Sequence, residues 1–233
     1  MKCGFCHSPL TKEVSLSQLL RFSPVVFNEY CLSCSKELSR LNKEAAHCQY
    51  CQKELAVDSN ICDDCHDWEK QLTTFSLKHD YLFSYNEKMK TYFQHYKFLG
   101  DIHLSRVFAS DIQEGLRSYQ QAGFIIVPIP LSKKKLRKRG FNQVEGLLTS
   151  SDIPFTAMMS KKETLVSQSE KSKEERLASK QPFFISNQAK RKIKGQKILL
   201  IDDVYTTGRT ILHAYDCLLP YKPKEIRSFS LSR

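Results

Sequence analysis

The chain has 233 residues, of which 41% are hydrophobic and 26% charged, and its formal net charge is +11. That length suits one ordinary domain plus a small one and supports a real core. No stretch approaches the roughly 20 apolar residues of a membrane-spanning helix, and Met1-Lys2-Cys3-Gly4-Phe5-Cys6 opens without an apolar segment of signal-peptide length, so a cytosolic protein is expected.

Four Cys-x-x-Cys pairs come first: Cys3/Cys6, Cys31/Cys34, Cys48/Cys51 and Cys62/Cys65. In a reducing compartment such cysteines point to metal rather than to disulfides. Two intervening residues let a tight knuckle aim both thiolates at one ion, and two knuckles complete a tetrahedron. Two structural zinc ions are therefore expected, with iron–sulfur clusters or redox disulfides as the alternatives. Sequential pairing puts Cys3/Cys6 with Cys31/Cys34 and Cys48/Cys51 with Cys62/Cys65; a cross-braced scheme would join Cys3/Cys6 to Cys48/Cys51. The sequential scheme is favoured because the ten residues between Cys51 and Cys62 already suit a ribbon. His7, His47 and His66 each abut a cysteine and are expected beside the sites rather than as ligands, and Cys217 is expected in the core.

The cysteine motifs end near residue 75, which divides a zinc-binding double ribbon module (1–75) from an α/β domain (76–233). Residues 1–75 carry 8 Lys/Arg against 10 Asp/Glu, a balance of −2, whereas residues 76–233 carry 28 against 15, a balance of +13. Eight thiolates around two zinc ions would take the first balance to −6. The positive field belongs to the second part, where it favours polyanions such as nucleic acid, phosphorylated ligands or acidic partners, or serves solubility alone.

Along that second part, Tyr81, Phe83 and Tyr85 alternate as in a strand. Asn86 can cap a helix to about Phe98, with Met89, Tyr92, Phe93 and Tyr96 on one face. A longer helix is predicted from Leu104 to Gln121, closed by Gly123. Phe124–Ile129 reads as a strand buried on both faces, as do Ile153–Met159 and Ile198–Ile201. A helix over Thr207–Leu219 and a strand over Glu225–Leu231 finish the chain. Strands alternating with helices predict a mostly parallel sheet. Residues 160–175, with Lys161, Lys162, Glu163, Ser167, Ser169, Glu170, Lys171 and Lys173, lack periodicity and suit a solvated loop or lid.

Ile198-Leu199-Leu200-Ile201-Asp202-Asp203-Val204-Tyr205-Thr206-Thr207-Gly208-Arg209-Thr210 carries the second strong signal. A buried strand runs into two acids, and a Thr/Gly turn then opens a helix. Free backbone N–H groups, hydroxyls and the helix dipole together make an anion site at the carboxyl end of a strand. This string resembles the phosphoribosyl pyrophosphate signature of type I phosphoribosyltransferases, departing mildly at Tyr205, where a smaller residue is usual. The resemblance implies that Asp202 and Asp203 hold the ribose hydroxyls. It gives Thr206, Thr207, Gly208, Arg209 and Thr210 the 5-phosphate. Pyrophosphate with magnesium would lie near the loop after Pro128-Ile129-Pro130.

Val127-Pro128-Ile129-Pro130, Arg139-Gly140-Phe141-Asn142-Gln143, Lys97-Phe98 before Gly100, and Gln168 with Arg176 occur in the same order in the ComF family of competence proteins, which also begin with Cys-x-x-Cys pairs. The chain is identified as a member of that family. The resemblance implies a type I phosphoribosyltransferase-like domain, a role in natural transformation on the cytosolic side of DNA uptake at the inner face of the membrane, and a ComFA-type helicase/ATPase as partner. It turns Arg139 and Asn142, with Pro130, toward the pocket. Lys133, Lys134, Lys135 and Lys138, within six cations in seven residues, are candidates for single-stranded DNA, and Lys190-Arg191-Lys192 with Lys194 forms a second cluster; a solvated face is the plainer reading. The rival function is an active phosphoribosyltransferase of nucleobase or nucleotide metabolism, and a third is an adaptor with a vestigial pocket.

Overall fold

The computed structural model describes residues 1–11, 26–42, 44–56, 59–72, 75–162 and 181–233. Each group of four cysteines is built the same way. In the first, Cys3 and Cys6 form a knuckle closed by a bond from His7 N–H to the Cys3 carbonyl (2.9 Å) and flanked by the Lys2–Pro9 bridge. In the second, Gln52 N–H returns to the Cys48 carbonyl (2.9 Å) inside the His47–Glu54 bridge. His7 and Gln52 take the same left-handed backbone, at φ 60° and 55°. The remaining pair sits at a helix start: Cys31 and Cys34 around α1 (Leu32–Ser35), Cys62 and Cys65 around α2 (Asp63–Gln71). In both groups the N–H of the third cysteine donates to the sulfur of the first at 3.4 Å. Sequential pairing is thus the arrangement found, and within each group the four sulfur atoms lie within 4.8 Å of one another.

The second part is a four-stranded parallel sheet in the order β1 (Lys78–Phe83), β6 (Glu225–Ser232), β5 (Lys197–Val204), β2 (Phe124–Pro128). Between β1 and β2 run α3 (Glu87–Gln94), a π-helical turn (His95–Leu99), a 3-10 turn (Ile102–Arg106) and α4 (Ala109–Gln121). After β2 come α5 (Lys133–Arg139), α6 (Gln143–Ser150), the antiparallel pair β3 (Met159–Lys161) and β4 (Phe183–Ile185), and α7 (Asn187–Lys190). Helix α8 (Arg209–Leu218) and a 3-10 turn (Leu219–Tyr221) join β5 to β6. The α/β class and the mostly parallel sheet agree with the sequence.

Side chains alternate across a strand, so β5 feeds two cores. Ile198 and Leu200 face a core containing Cys48, Cys51, Cys62, Cys65, Trp68 and residues of β3, β4 and α8. Leu199 and Ile201 face a core containing Leu38, Phe83, Tyr92, Phe108 and Leu147, with Phe5 and Tyr30 packed against it. The two cysteine modules therefore cover opposite faces of one sheet, and both cores run across residue 75. The first module is held to α4 by Arg40 and Tyr30, which both donate to the Asp111 carboxylate, the latter at 2.7 Å. The Asn86 side-chain amide, which also caps α3, donates to the Glu37 carbonyl at 2.8 Å.

Three predicted elements differ. Ile153–Met159 is not a strand: Pro154 lacks a donor, and the segment makes a single sheet-like bond to β2, from Thr156 N–H to the Ile126 carbonyl (2.8 Å), before Met159 enters the separate β3–β4 pair. The helix expected from Leu104 begins only at Ala109, because Asp101 caps a 3-10 turn that uses up residues 102–106. The helix expected to reach Phe98 leaves α geometry after Gln94. Of the expected loop, Glu163, Ser167, Ser169, Glu170, Lys171 and Lys173 lie outside the described residues, as do Gln168 and Arg176.

An all-thiolate set at this spacing suits a zinc ion, whose tetrahedron of sulfurs at about 2.3 Å has edges of about 3.8 Å; Cys6–Cys31 and Cys51–Cys62 already stand at 3.6 and 3.5 Å. The two groups differ in access: Cys6 is exposed, whereas all four cysteines of the second group are buried. Two zinc ions per chain are expected, and a chromophoric chelator should remove them in two phases, the Cys3/Cys6/Cys31/Cys34 ion first. The slower phase should coincide with loss of the sheet signal in circular dichroism, since its ligands belong to a core of the sheet. Release of both ions in one phase with the sheet intact would contradict this picture.

Candidate functional site

Strand β5 extends through both acids to Val204, so Asp202 and Asp203 lie inside the last turns of the ladder rather than beyond it. The pleat sends Asp202 toward the face of Leu200 and Asp203 toward that of Ile201. Both line one cavity of about 810 Å³ at the carboxyl end of the sheet. Its floor continues through Val204, Thr206 and Thr210; one wall is Ile129, Pro130 and Leu131; the opposite wall is Tyr85, Phe93 and Phe98.

Each acid meets a cation from its own face. Lys97 donates to Asp203 Oδ1 at 2.8 Å, both side chains being nearly buried, and its ammonium also lies 4.4 Å from the centre of the Phe93 ring. The π-helical turn makes this reach possible. It is pinned by buried Tyr96, whose hydroxyl donates to the Gln143 carbonyl at 2.7 Å, and it ends at Gly100 in the left-handed region (φ 75°). Asp203 Oδ2 is buried and has no hydrogen-bond partner among the described residues. Such an orphan acceptor beside a cavity is an invitation to a donor from a ligand. Asp202 Oδ1 accepts from the Asp203 N–H at 2.9 Å. Burial, and then the adjacent Asp203 carboxylate, push Asp202 up to about 7, against the pull of Lys97 and Lys161. Lys161, at the end of β3, is itself shifted down by burial and by Lys135.

After Val204 the chain turns tightly into α8. Residues Thr206, Thr207, Gly208, Arg209 and Thr210 surround a small cradle of about 40 Å³ that shares Asp202, Thr206 and Thr210 with the large cavity. The first intrahelical bond of α8 is Leu212 N–H to the Gly208 carbonyl (2.8 Å), so the N–H groups of residues 209–211 precede the ladder, as an anion site needs. Gly208 has φ 74°, and an added Cβ would stand 2.1 Å from the Tyr205 hydroxyl. Tyr205, the bulky departure from the signature, is buried beside the cradle, its ring 4.1 Å from that of His79, and the missing Cβ of Gly208 accommodates its tip.

The basic run is helix α5, capped by the Ser132 hydroxyl and by Gly140 at φ 85°. Helical spacing divides its cations. Lys135, Lys138 and Arg139 line the cavity, Arg139 donating also to the Gln143 side chain. Lys133 and Lys134 are exposed and are not among the lining residues. Asn142 is buried and caps α6 through Val144 N–H (3.0 Å), its amide donating to the Ile129 carbonyl at 3.3 Å; it fixes the Pro130 loop from behind rather than lining the cavity. Lys190–Lys194 precede the start of β5, so that roughly 17 Å of strand lies between the end of that cluster and the acids. Sequence reasoning quoted Lys97 without giving it a role and left Lys161 in a loop; only the three-dimensional pairing reveals them.

Residues 136–232 match the phosphoribosyl transferase domain family. The chain is 37% identical over 237 residues to competence protein ComFC of Streptococcus pneumoniae (strain ATCC BAA-255 / R6), with 100% of both chains covered. It is 34% identical over 240 residues to competence protein ComFC of Bacillus subtilis (strain 168), covering 99% of this chain and 94% of that one. To competence protein F of Haemophilus influenzae (strain ATCC 51907 / DSM 11121 / KW20 / Rd) it is 25% identical over 221 residues, covering 88% and 91%. Similar from end to end to such relatives, and with the Asp202–Thr210 loop inside the transferase segment, the chain belongs to the ComFC family of competence proteins.

Proposed function

We propose that this protein acts in DNA uptake during natural transformation, binding phosphoribosyl pyrophosphate in the cavity and single-stranded DNA along its basic rim. The observation that carries the ligand is the orphan Oδ2 of Asp203, held in place by Lys97 and sharing one cavity with the Thr206–Thr210 cradle. The ribose hydroxyls would donate to Asp203 Oδ2 and to Asp202, and the 5-phosphate would take the cradle's N–H groups and hydroxyls. Lys135, Lys138, Arg139 and Lys161 are the cations available to the pyrophosphate beside Pro130. Magnesium would come with the pyrophosphate, because among the described residues the only clusters with metal-ligand spacing are the two cysteine groups, which would hold structural zinc. A ComFA-type ATPase is the proposed partner, docking on residues 1–75, whose charge balance is acidic. No helix among the described residues is long and apolar enough to cross a membrane.

One observation favours an active phosphoribosyltransferase as the second reading: Tyr85, Phe93 and Phe98 line the cavity, with Phe98 77% exposed, and an aromatic face can stack a base. In that reaction the pyrophosphate would leave the ribose carbon through an oxocarbenium-like state stabilised by the nearby carboxylates. A deletion strain tested for uptake of marker DNA and for growth on single nucleobases separates the two. Loss of transformation, rescued by wild type but not by Asp202→Asn, is expected; normal transformation with a salvage defect would reverse the choice.

In vitro, Asp202→Asn with Asp203→Asn should weaken phosphoribosyl pyrophosphate binding roughly 10- to 100-fold for each charge-assisted bond lost, read by calorimetry. Folding should survive, and Asp202→Asn alone should stabilise the ligand-free protein. The folded carboxyl is raised from its ordinary 3.8 to about 7. Its favourable contribution is therefore complete below the unfolded value and lost as pH rises through about 7. The advantage of Asp202→Asn in thermal midpoint should accordingly be larger at pH 8 than at pH 5; an equal advantage at both would contradict the burial argument.

Single-stranded DNA should bind with little sequence preference and a steep salt dependence. Each phosphate neutralised contributes a slope of about −0.7, so replacing Lys135 and Lys138 with Gln should flatten it by about 1.4. Replacing Lys133 and Lys134, which point elsewhere, should do less. The reverse order of effects would move the DNA surface to the outer face of α5.

A further inference from the structure

The second cysteine group touches the phosphate loop, and the first does not among the described residues. Trp68, three residues after Cys65 on α2 and thus on the same helical face, is the chain's only tryptophan. It is 8% exposed, and its indole N–H donates to the carbonyl of Thr207 at 3.1 Å. The ring meets His213 of α8 edge-on at 6.1 Å. Thr207 is the middle of the cradle, so one hydrogen bond links the module to the loop's central peptide. A second strut meets the start of the loop. Arg233 donates to Cys51 Sγ at 3.0 Å, and its guanidinium lies 5.1 Å from the centre of the Tyr205 ring, whose hydroxyl fills the space under Gly208. The Cys3/Cys6/Cys31/Cys34 group covers the other face of the sheet.

We infer that Trp68 is a positioning residue for the phosphate loop, and that through it the metal state of the Cys48/Cys51/Cys62/Cys65 group sets the loop's affinity for phosphorylated ligands. A carbonyl fixed from below stops the Thr207 peptide from turning its oxygen into the cradle, where it would repel a phosphate; the N–H groups stay aimed at the anion instead. Ordering the loop in advance lowers the entropy lost on binding. Helix α2 is also the element that presents Cys62 and Cys65, so a change in metal occupancy moves the base of the Trp68 side chain. Linkage then requires the reverse effect: a bound phosphate ligand must retain the ion of this group and leave the other unaffected. This inference rests on the proposed phosphoribosyl pyrophosphate pocket.

The test uses the full zinc-loaded chain and Trp68→Phe, which keeps an aromatic ring at the site and removes the donor together with part of the indole's volume. Phosphoribosyl pyrophosphate with magnesium is titrated by calorimetry, and zinc release to a chromophoric chelator is timed with and without it. Wild type should change its tryptophan emission on binding and release its slower zinc ion more slowly when liganded, with the faster ion unchanged. Trp68→Phe should hold two ions, melt close to wild type, bind about 3- to 10-fold more weakly, and lose the ligand's protection of the slower ion. A wild type that binds without altering either emission or zinc release overturns the inference and needs no variant; so does Trp68→Phe with unchanged affinity. A wild type that does not bind at all removes the pocket reading on which the inference stands.

Discussion

Adjacent carboxylates on a central strand cannot share a face, and much of this fold follows from what each face must then supply. Asp202 and Asp203 lie in β5, where Asp202 pairs with Ser230 and Val204 with Ser232 of β6 on one side, while on the other the β2 pairing ends at Ile201. Burying a carboxylate without a partner is expensive enough that it would rather take a proton. On the Asp203 face the answer is Lys97, delivered by a helix that abandons α geometry for one turn. On the Asp202 face burial, and then the adjacent Asp203 charge, push the carboxyl up to about 7 against the pull of Lys97 and the weaker pull of Lys161 from β3. The asymmetry leaves Asp203 tied to Lys97 through one oxygen, with the other without a partner among the described residues, and its neighbour Asp202 raised to about 7.

The two cysteine modules solve a different shortage. A four-stranded sheet has two faces to cover, and the helices available, α3, α4 and α6 on one side and α8 on the other, do not cover both completely. Segments of about 40 residues cannot fold alone on apolar burial, but an ion held by four thiolates supplies stability of its own, roughly 10–16 kcal/mol in small peptides. Each module can then lend its few large side chains to the sheet: Phe5, Tyr30 and Leu38 to one face, Trp68 to the other. Dispensing with a further strand and helix pair would expose the protein to a dependence that an ordinary core lacks, because with zinc as the staple the cover on each face would last only as long as its ion.

What was legible in the sequence was chemistry with fixed spacing. The Cys-x-x-Cys pairs, their sequential grouping, the Asp-Asp-x-x-Thr-Thr-Gly turn and the Phe124–Ile129 and Ile198–Ile201 runs are local patterns, and local patterns survive folding. The errors fell where tertiary contacts outweigh local preference. Ile153-Pro154-Phe155 has a strand's hydrophobicity but a proline that forbids the ladder, and the periodicity of residues 87–98 says nothing about the π-helical turn from which Lys97 meets Asp203. Lys133–Arg139 reads as a charge run; its helix comes from Ser132 and Gly140 at its ends, and only the helix reveals that Lys135, Lys138 and Arg139 share a face while Lys133 and Lys134 do not. Trp68 carried no signal at all, since nothing in a sequence connects an indole to a carbonyl 139 residues away.

Helix α5 also indicates what the cavity has been shaped against. Three lysines occupy its first turn, where the helix dipole is positive and acidic residues are the stabilising choice, and none is present. Lys135 further crowds Lys161 of β3, and the decline of the Lys161 ammonium below its ordinary value records its burial first and then that crowding. Such an arrangement opposes folding of the unliganded chain. Solubility alone does not require it, because cations spread over the outer surface would serve without mutual repulsion. The same repulsion becomes attraction once several negative charges enter together, and the gain grows with the number of phosphates presented at one time. A single phosphate would satisfy the Thr206–Thr210 cradle and leave α5 unrelieved; a ligand carrying phosphate at both ends of a ribose, or a strand of linked phosphates crossing the rim, relieves both.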